Sequence, residues 1–170
     1  MRTRSEYFQD VRTEVEKLVD HLKNTASGRP VDLQPLFFCL TLDVTTAVFF
    51  GKSVNSLADQ DTGLENNFGK AFNYAQHQLA RRGRLGDLYW LLGGRSFRKA
   101  CGIVHQFVDG IVADGLARSK THLHRDKNGE FVFLDALIAE TQDPKVIRDQ
   151  LVNILLAGRD TTACLLSWTL

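Results

Sequence analysis

The run Ala157-Gly158-Arg159-Asp160-Thr161-Thr162 stands inside the most apolar stretch of the chain, between residues 151–156 and 163–170. That setting reads as the middle of a buried helix. A glycine there costs about 1 kcal/mol relative to alanine, and two charges and two threonines weaken the helix further. Residues that weaken their own helix point to chemistry. With no side chain at Gly158, a flat ligand or a second backbone can come close. Thr161 lies about one turn along, and its hydroxyl can bond the carbonyl one turn back or turn away and leave it free. Such a disturbance opens a helix and admits a water. Asp160, buried beside Thr161, can then feed protons from solvent towards that hydroxyl. Together these parts describe a groove over a bound group with a proton-delivery pair next to it. Spacing alone leaves a second reading open, in which Gly158 serves close helix packing and Arg159 and Asp160 face a polar pocket.

Other reactive residues carry less. His122 and His124 lie two apart at a helix end without a third ligand nearby, so they read as solvated surface and no metal ligand is assigned. His21, His77 and His105 have no partners that suggest catalysis. Cys39, Cys101 and Cys164 are odd in number, lack CxxC spacing and sit in apolar helical stretches, which predicts reduced, buried thiols. There is no phosphate-cradling glycine loop and no nucleophile elbow.

The elements that must position the motif are almost all helical. Phe8, Val11, Val15, Leu18, Val19 and Leu22 form one apolar stripe, ended by the loop 25–30. A second helix over 34–50 buries Leu36, Phe37, Leu40, Val44, Ala47 and Val48, with Gly51 as its stop. A third, over 64–82, places Leu64, Phe68, Ala71, Phe72, Ala75 and Leu79 on one face. The segment 83–94 is bracketed by glycines and apolar in its middle, so it reads as a loop with a short amphipathic turn. A fourth helix over 96–122 buries Ala100, Val104, Phe107, Val108 and Ile111. A polar loop at 125–130 leads to a short helix over 134–141. The last helix starts at the cap Asp143, with Pro144 in its first turn. Its stripe is Ile147, Leu151, Ile154, Leu155, Gly158, Thr162, Leu165, Leu166 and Thr169, with Val152, Leu156, Ala163 and Leu170 opposite.

Composition sets the class. The 170 residues are 44% hydrophobic and 24% charged with a net charge of +1, enough for one sizeable core. The near-zero balance gives no electrostatic reason to expect nucleic acid or an anionic membrane as partner. Arg159 and Asp160 near the centre of 151–170 argue against a membrane span there.

The hexamer resembles the central helix of the cytochrome P450 superfamily, whose pattern is Ala/Gly-Gly-x-Asp/Glu-Thr-Thr/Ser. Every position is matched by Ala157, Gly158, Arg159, Asp160, Thr161 and Thr162. The runs 143–150, 153–162, 42–44 on to 50–54, 83–90 and 107–109 resemble fungal members that hydroxylate n-alkanes and fatty acids. The resemblance spans nearly the whole chain in the family's order.

It implies an all-α, mainly helical fold and a haem monooxygenase that inserts one oxygen atom of dioxygen into an unactivated C–H bond. Haem iron would be held by a cysteine thiolate. Ala157, Gly158, Thr161 and Thr162 would lie against the haem, with Thr161 bonding dioxygen and Asp160 relaying protons. Leu155 would touch an aliphatic substrate, as would the helices 64–82 and 96–120. Their join, with Tyr89, Trp90, Leu91 and Leu92, would form a channel lip dipping into a membrane, against ordinary packing as the plainer reading. Electrons would come from NADPH through cytochrome P450 reductase, at the cytosolic face of the endoplasmic reticulum.

The sequence also departs from the family pattern. Phe-x-x-Gly-x-x-x-Cys-x-Gly, Glu-x-x-Arg and the early Trp-x-x-x-Arg are absent, and none of the three cysteines has the ligand context. The expectation is therefore a single partial domain over 1–170. It would be an interior slice of a partial cytochrome P450 fold, without the N-terminal anchor and the haem-ligand region, inactive alone and exposing an apolar face of its last helix. The rival class is a non-enzymatic helical module that binds a partner or a lipid through that helix. It accounts for the missing ligand but not for the order of Gly158, Asp160 and Thr161.

Overall fold

A computed structural model of the chain describes residues 4–25, 30–57, 64–120 and 133–170. Among these there are six α-helices and one 3₁₀ segment, and no strand. Helix α1 spans Arg4–Thr25, α2 Leu33–Phe50, α3 Leu64–Arg84, α4 Arg95–Lys120, α5 Phe133–Glu140 and α6 Pro144–Thr169, with the 3₁₀ segment Gly86–Leu91 between α3 and α4. The all-helical architecture is the one the periodicity predicts. His122, His124 and the loops 26–29 and 125–130 lie outside the described residues.

Local chemistry sets the helix ends. Asp32 accepts the Gln34 N–H at 3.1 Å and starts α2. Gly51 ends it in the left-handed region at φ 73°, donating its N–H to the Ala47 carbonyl. Asp143 accepts the Lys145 N–H at 2.9 Å, and Pro144 occupies the first turn of α6, where no N–H is needed.

α2 and α6 form the most extensive helix pair, and α3 packs on α4, which in turn meets α6. One core joins Leu42 and Phe50 of α2, Phe68 and Phe72 of α3, the inner face of α4, Leu134 and Ile138 of α5, and Ile147, Leu151 and Leu155 of α6. A second, smaller core gathers Leu18 of α1, Leu36, Phe37 and Leu40 of α2, Leu57 and Ala163. α6 therefore belongs to both.

The expected faces of α1 and α2 turn out differently. On α1 only Leu18 of the predicted stripe is buried, while Phe8, Val11, Val15 and Val19 are exposed. The amphipathic pattern is present, but the α1 residues buried where it meets α2 are Glu14 and Leu18. On α2, Leu36, Phe37 and Leu40 are buried as expected, yet Val44, Ala47 and Val48 are only half-buried. Buried places on α2 go instead to Thr41, Asp43, Thr45 and Thr46.

Those polar side chains bury because their bonds are closed locally. Thr41 donates to Phe37 O at 2.9 Å, Thr45 to Thr41 O at 2.6 Å and Thr46 to Leu42 O at 3.0 Å. Asp43 accepts the Ser56 N–H at 2.7 Å and the Leu57 N–H at 3.1 Å, clamping the segment after α2 onto the helix. Burial pushes the Asp43 carboxyl above its ordinary pKa, against the pull of those two N–H donors. α2 is apolar and long enough to cross a membrane, with a mean hydropathy of 1.6. Its buried polar face and its seat between α1 and α6 make it a core helix.

Candidate active site

The buried side of α6 runs in steps of four through Ile147, Leu151, Leu155, Arg159 and Ala163. Sequence periodicity places Ala163 on the opposite face and Thr162, Leu165 and Thr169 on the stripe. In the structure those three are exposed and Ala163 is fully buried. Each step of four advances by slightly more than one turn. The stripe therefore drifts around the helix, and its far end reaches the second core.

Gly158 faces α2. A Cβ built there would stand 2.9 Å from Thr45 Oγ1 and 3.1 Å from Thr45 Cγ2. The space above this glycine is filled by a threonine of the neighbouring helix, so it is not an open groove for a flat ligand. Of the two readings of Gly158, close helix packing is the one the geometry shows.

The opposite side of α6 is open. Ala157 and Thr161 are exposed there, Trp168 is 89% exposed, and the exposed Leu156 and Leu165 stand at the two edges of that side. Ala157 and Thr161 share one face, and the Thr161 hydroxyl donates to the Ala157 carbonyl at 2.6 Å. Asp160 is half-buried, not enclosed: its side chain keeps 33% of its exposure. Its Oδ1 accepts from Arg159 Nη1 at 2.9 Å. Solvent therefore reaches the carboxylate directly, without the helix having to open.

Leu155 lies on the buried side of α6. It is 0% exposed and packs in the larger core, away from the open side where a substrate was expected to meet it. Leu156, the next residue, lies on the exposed side.

Arg159 is the residue that sequence reasoning undervalued. It is 2% exposed, with Nη2 donating to Asn73 Oδ1 of α3 at 2.6 Å. Its guanidinium carbon lies 4.8 Å from the ring centre of Phe38 and 5.5 Å from that of Phe72. Burial pulls its pKa below the ordinary value while the charge of Asp160 pushes back. A signal existed: a charge standing in the series Ile147, Leu151, Leu155 must be paired inside.

The residues expected at a channel lip fall on the 3₁₀ segment and after it. Leu88, Tyr89, Trp90 and Leu91 of the 3₁₀ segment are all exposed, Trp90 at 67%. Ordinary core packing therefore does not account for them in this chain. Arg82 anchors the segment, its guanidinium 5.1 Å from the ring centre of Tyr89 and 5.0 Å from that of Phe97.

Fold and site together define a helical protein whose central helix presents a threonine hydroxyl, with a carboxylate beside it, on an open apolar face. The chain belongs to the cytochrome P450 family, whose model it matches over residues 1–170. It is 47% identical over 173 residues to a cytochrome P450 of Arthroderma benhamiae, covering 100% of this chain and 34% of that protein. It is 44% identical over 163 residues to cytochrome P450 52A5 of Candida maltosa, covering 91% of this chain and 30% of the relative. With cytochrome P450 52A1 of Candida tropicalis the identity is 46% over 150 residues, 83% of this chain and 27% of the relative. The chain thus spans about a third of the length of the relatives it matches.

The family implies haem, and the residues present fit one side of it. Ala157 is small, Thr161 brings a hydroxyl, and the exposed Leu165 and Trp168, four and seven residues beyond Thr161 on the same face, extend the apolar surface a macrocycle needs. Among the described residues no cluster of histidine, cysteine or carboxylate side chains could hold a metal ion. Cys39 and Cys101 are half-buried and Cys164 is exposed, with no disulfide among the described residues.

Proposed function

We propose that the chain forms the oxygen-side helical part of a haem-dependent monooxygenase that hydroxylates an unactivated C–H bond of an aliphatic substrate, an alkane or fatty acid. The observation that carries this is the open α6 face with Thr161 bonded to the Ala157 carbonyl beside Asp160. Haem, when bound, supplies the activation of dioxygen and the oxygen insertion.

The chain's own residues supply shape and protons. Ala157 leaves the face low enough for dioxygen and substrate to lie against the helix. Asp160, in contact with solvent, takes a proton from water and passes it to Thr161 Oγ1. Thr161 then releases its own hydroxyl proton towards the open face, exchanging its bond to Ala157 O for one to the ligand. Thr162, exposed beside it, borders the same surface. The buried α2–α6 contact at Gly158 holds this face rigid. Electrons come from NADPH through a reductase. The exposed 3₁₀ segment rests on the cytosolic face of the endoplasmic reticulum membrane and admits apolar substrate from it.

The test uses the haem-loaded protein that contains this chain, with reductase, NADPH and ¹⁸O₂. Fatty acid or alkane should gain one labelled oxygen. Asp160→Asn should slow product formation by about a hundredfold, the scale of a lost proton relay. Absence of label in the product refutes the reading.

A further inference from the structure

We propose that Arg159 is a positioning residue that ties the Asp160 carboxylate to helix α3 through Asn73, so that the placement of α3 sets where that carboxylate stands. The inference rests on Asp160 acting as the proton relay.

Arg159 occupies a rung of the buried series on α6 where a leucine would bury at far lower cost. Taking a guanidinium out of water costs several kcal/mol unless its partners are well placed. Here the partners come from three helices. Asp160 of α6 accepts from Nη1 at 2.9 Å, and Asn73 of α3 accepts from Nη2 at 2.6 Å. Phe72 of α3 and Phe38 of α2 present their rings to the guanidinium carbon at 5.5 Å and 4.8 Å.

A guanidinium is a rigid planar fork. With Nη2 committed to Asn73 and the plane held by the two rings, the direction of Nη1 follows, and with it the place of Asp160 Oδ1. Asn73 lies 86 positions from Arg159 in the sequence, so the bond reports tertiary packing and not local helix geometry. A shift of α3 is transmitted to the carboxylate. A shift of α6 along its axis is resisted at the same point.

A role as structural glue predicts lost stability alone; positioning predicts coupling between two residues that are joined through Arg159. In the haem-loaded protein that contains this chain, urea unfolding is measured for Asn73→Ala, Asp160→Asn and the double variant. The set is repeated with Arg159→Lys, which keeps the charge and loses the fork. The expected result is a departure from additivity of at least about twofold in the unfolding constant, lost in the Arg159→Lys background. Asn73→Ala should also lower kcat for hydroxylation about tenfold, with KM within about twofold and more peroxide released. Additive single effects with Arg159 intact overturn the proposal, and this arm decides the matter if Arg159→Lys does not fold. An effect of Asp160→Asn on hydroxylation without one of Asn73→Ala overturns the positioning role and leaves the relay standing. No effect of Asp160→Asn on hydroxylation overturns the relay itself.

Discussion

Gly158→Ala separates the two explanations of the motif's glycine. Helix propensity alone predicts a gain of about 1 kcal/mol. The structure opposes that gain, because the new Cβ would stand 2.9 Å from Thr45 Oγ1 and 3.1 Å from its Cγ2. Thr45 cannot move aside cheaply. Its β-branched side chain has few rotamers in a helix, and its hydroxyl is bonded to Thr41 O at 2.6 Å. Forcing a methyl into such a contact costs about 1–3 kcal/mol, so the net expectation is a loss of about 1 kcal/mol. Thr45→Ala removes both offending atoms, and the nearest atom left is then Thr45 Cβ at 3.6 Å from the new methyl, an ordinary contact. In that background Gly158→Ala should become neutral or stabilising. Gly110→Ala on α4 is the control. A Cβ there meets nothing within 4 Å, so it should stabilise by about 1 kcal/mol. Urea midpoints at unchanged m-value give all of these values. If Gly158→Ala stabilises as much as Gly110→Ala, or costs the same with and without Thr45, the packing explanation is wrong.

Three further outcomes are expected. Asp43→Ala leaves the buried Ser56 and Leu57 N–H groups without their acceptor and should cost about 2–4 kcal/mol. Because burial raises the Asp43 pKa above its ordinary 3.8, the native state binds this proton more readily than the unfolded chain. Its contribution is complete below that ordinary value and is lost as pH rises through the raised one. The stability of the native protein minus that of Asp43→Asn should accordingly fall with rising pH across the acid range, and a flat difference counts against the assignment. Replacing the exposed Trp90 and Leu91 by serine should leave stability within about 0.5 kcal/mol while weakening flotation with phosphatidylcholine vesicles. Undiminished flotation would remove the membrane role of this segment.

Much of the helical frame was legible because its signals are local. Asp143 followed by Pro144, and Gly51 after Phe50, mark ends through bonds within a turn. The polar interior of α2 was not legible, since periodicity treats Thr41, Thr45 and Thr46 as surface residues. Their hydroxyls return to carbonyls of their own helix, which removes the penalty that hydropathy assigns them. For Thr161 the sequence offers two placements of the hydroxyl, and the structure has the one bonded to the carbonyl one turn back. Gly158, Leu155 and Arg159 were harder, because what each touches belongs to α2, α3 or the core, and no one-dimensional pattern carries that information. The stripe on α1 shows the converse case: its periodicity is clear, yet most of it faces outward among the described residues.

The spacing of α6 has a consequence for how this helix can change. Asp143 caps it and accepts the Ile147 N–H at 3.1 Å, and buried residues then recur at 151, 155, 159 and 163. Every position is thus indexed from the cap, and a single residue inserted or deleted before Arg159 would turn all that follows by about 100°. The guanidinium would swing out of its aromatic seat, and Thr161 would leave the open face. Substitutions along α6 can be absorbed one side chain at a time, but its length between cap and motif cannot drift. Divergence in this helix should therefore proceed by replacement and almost never by gaps.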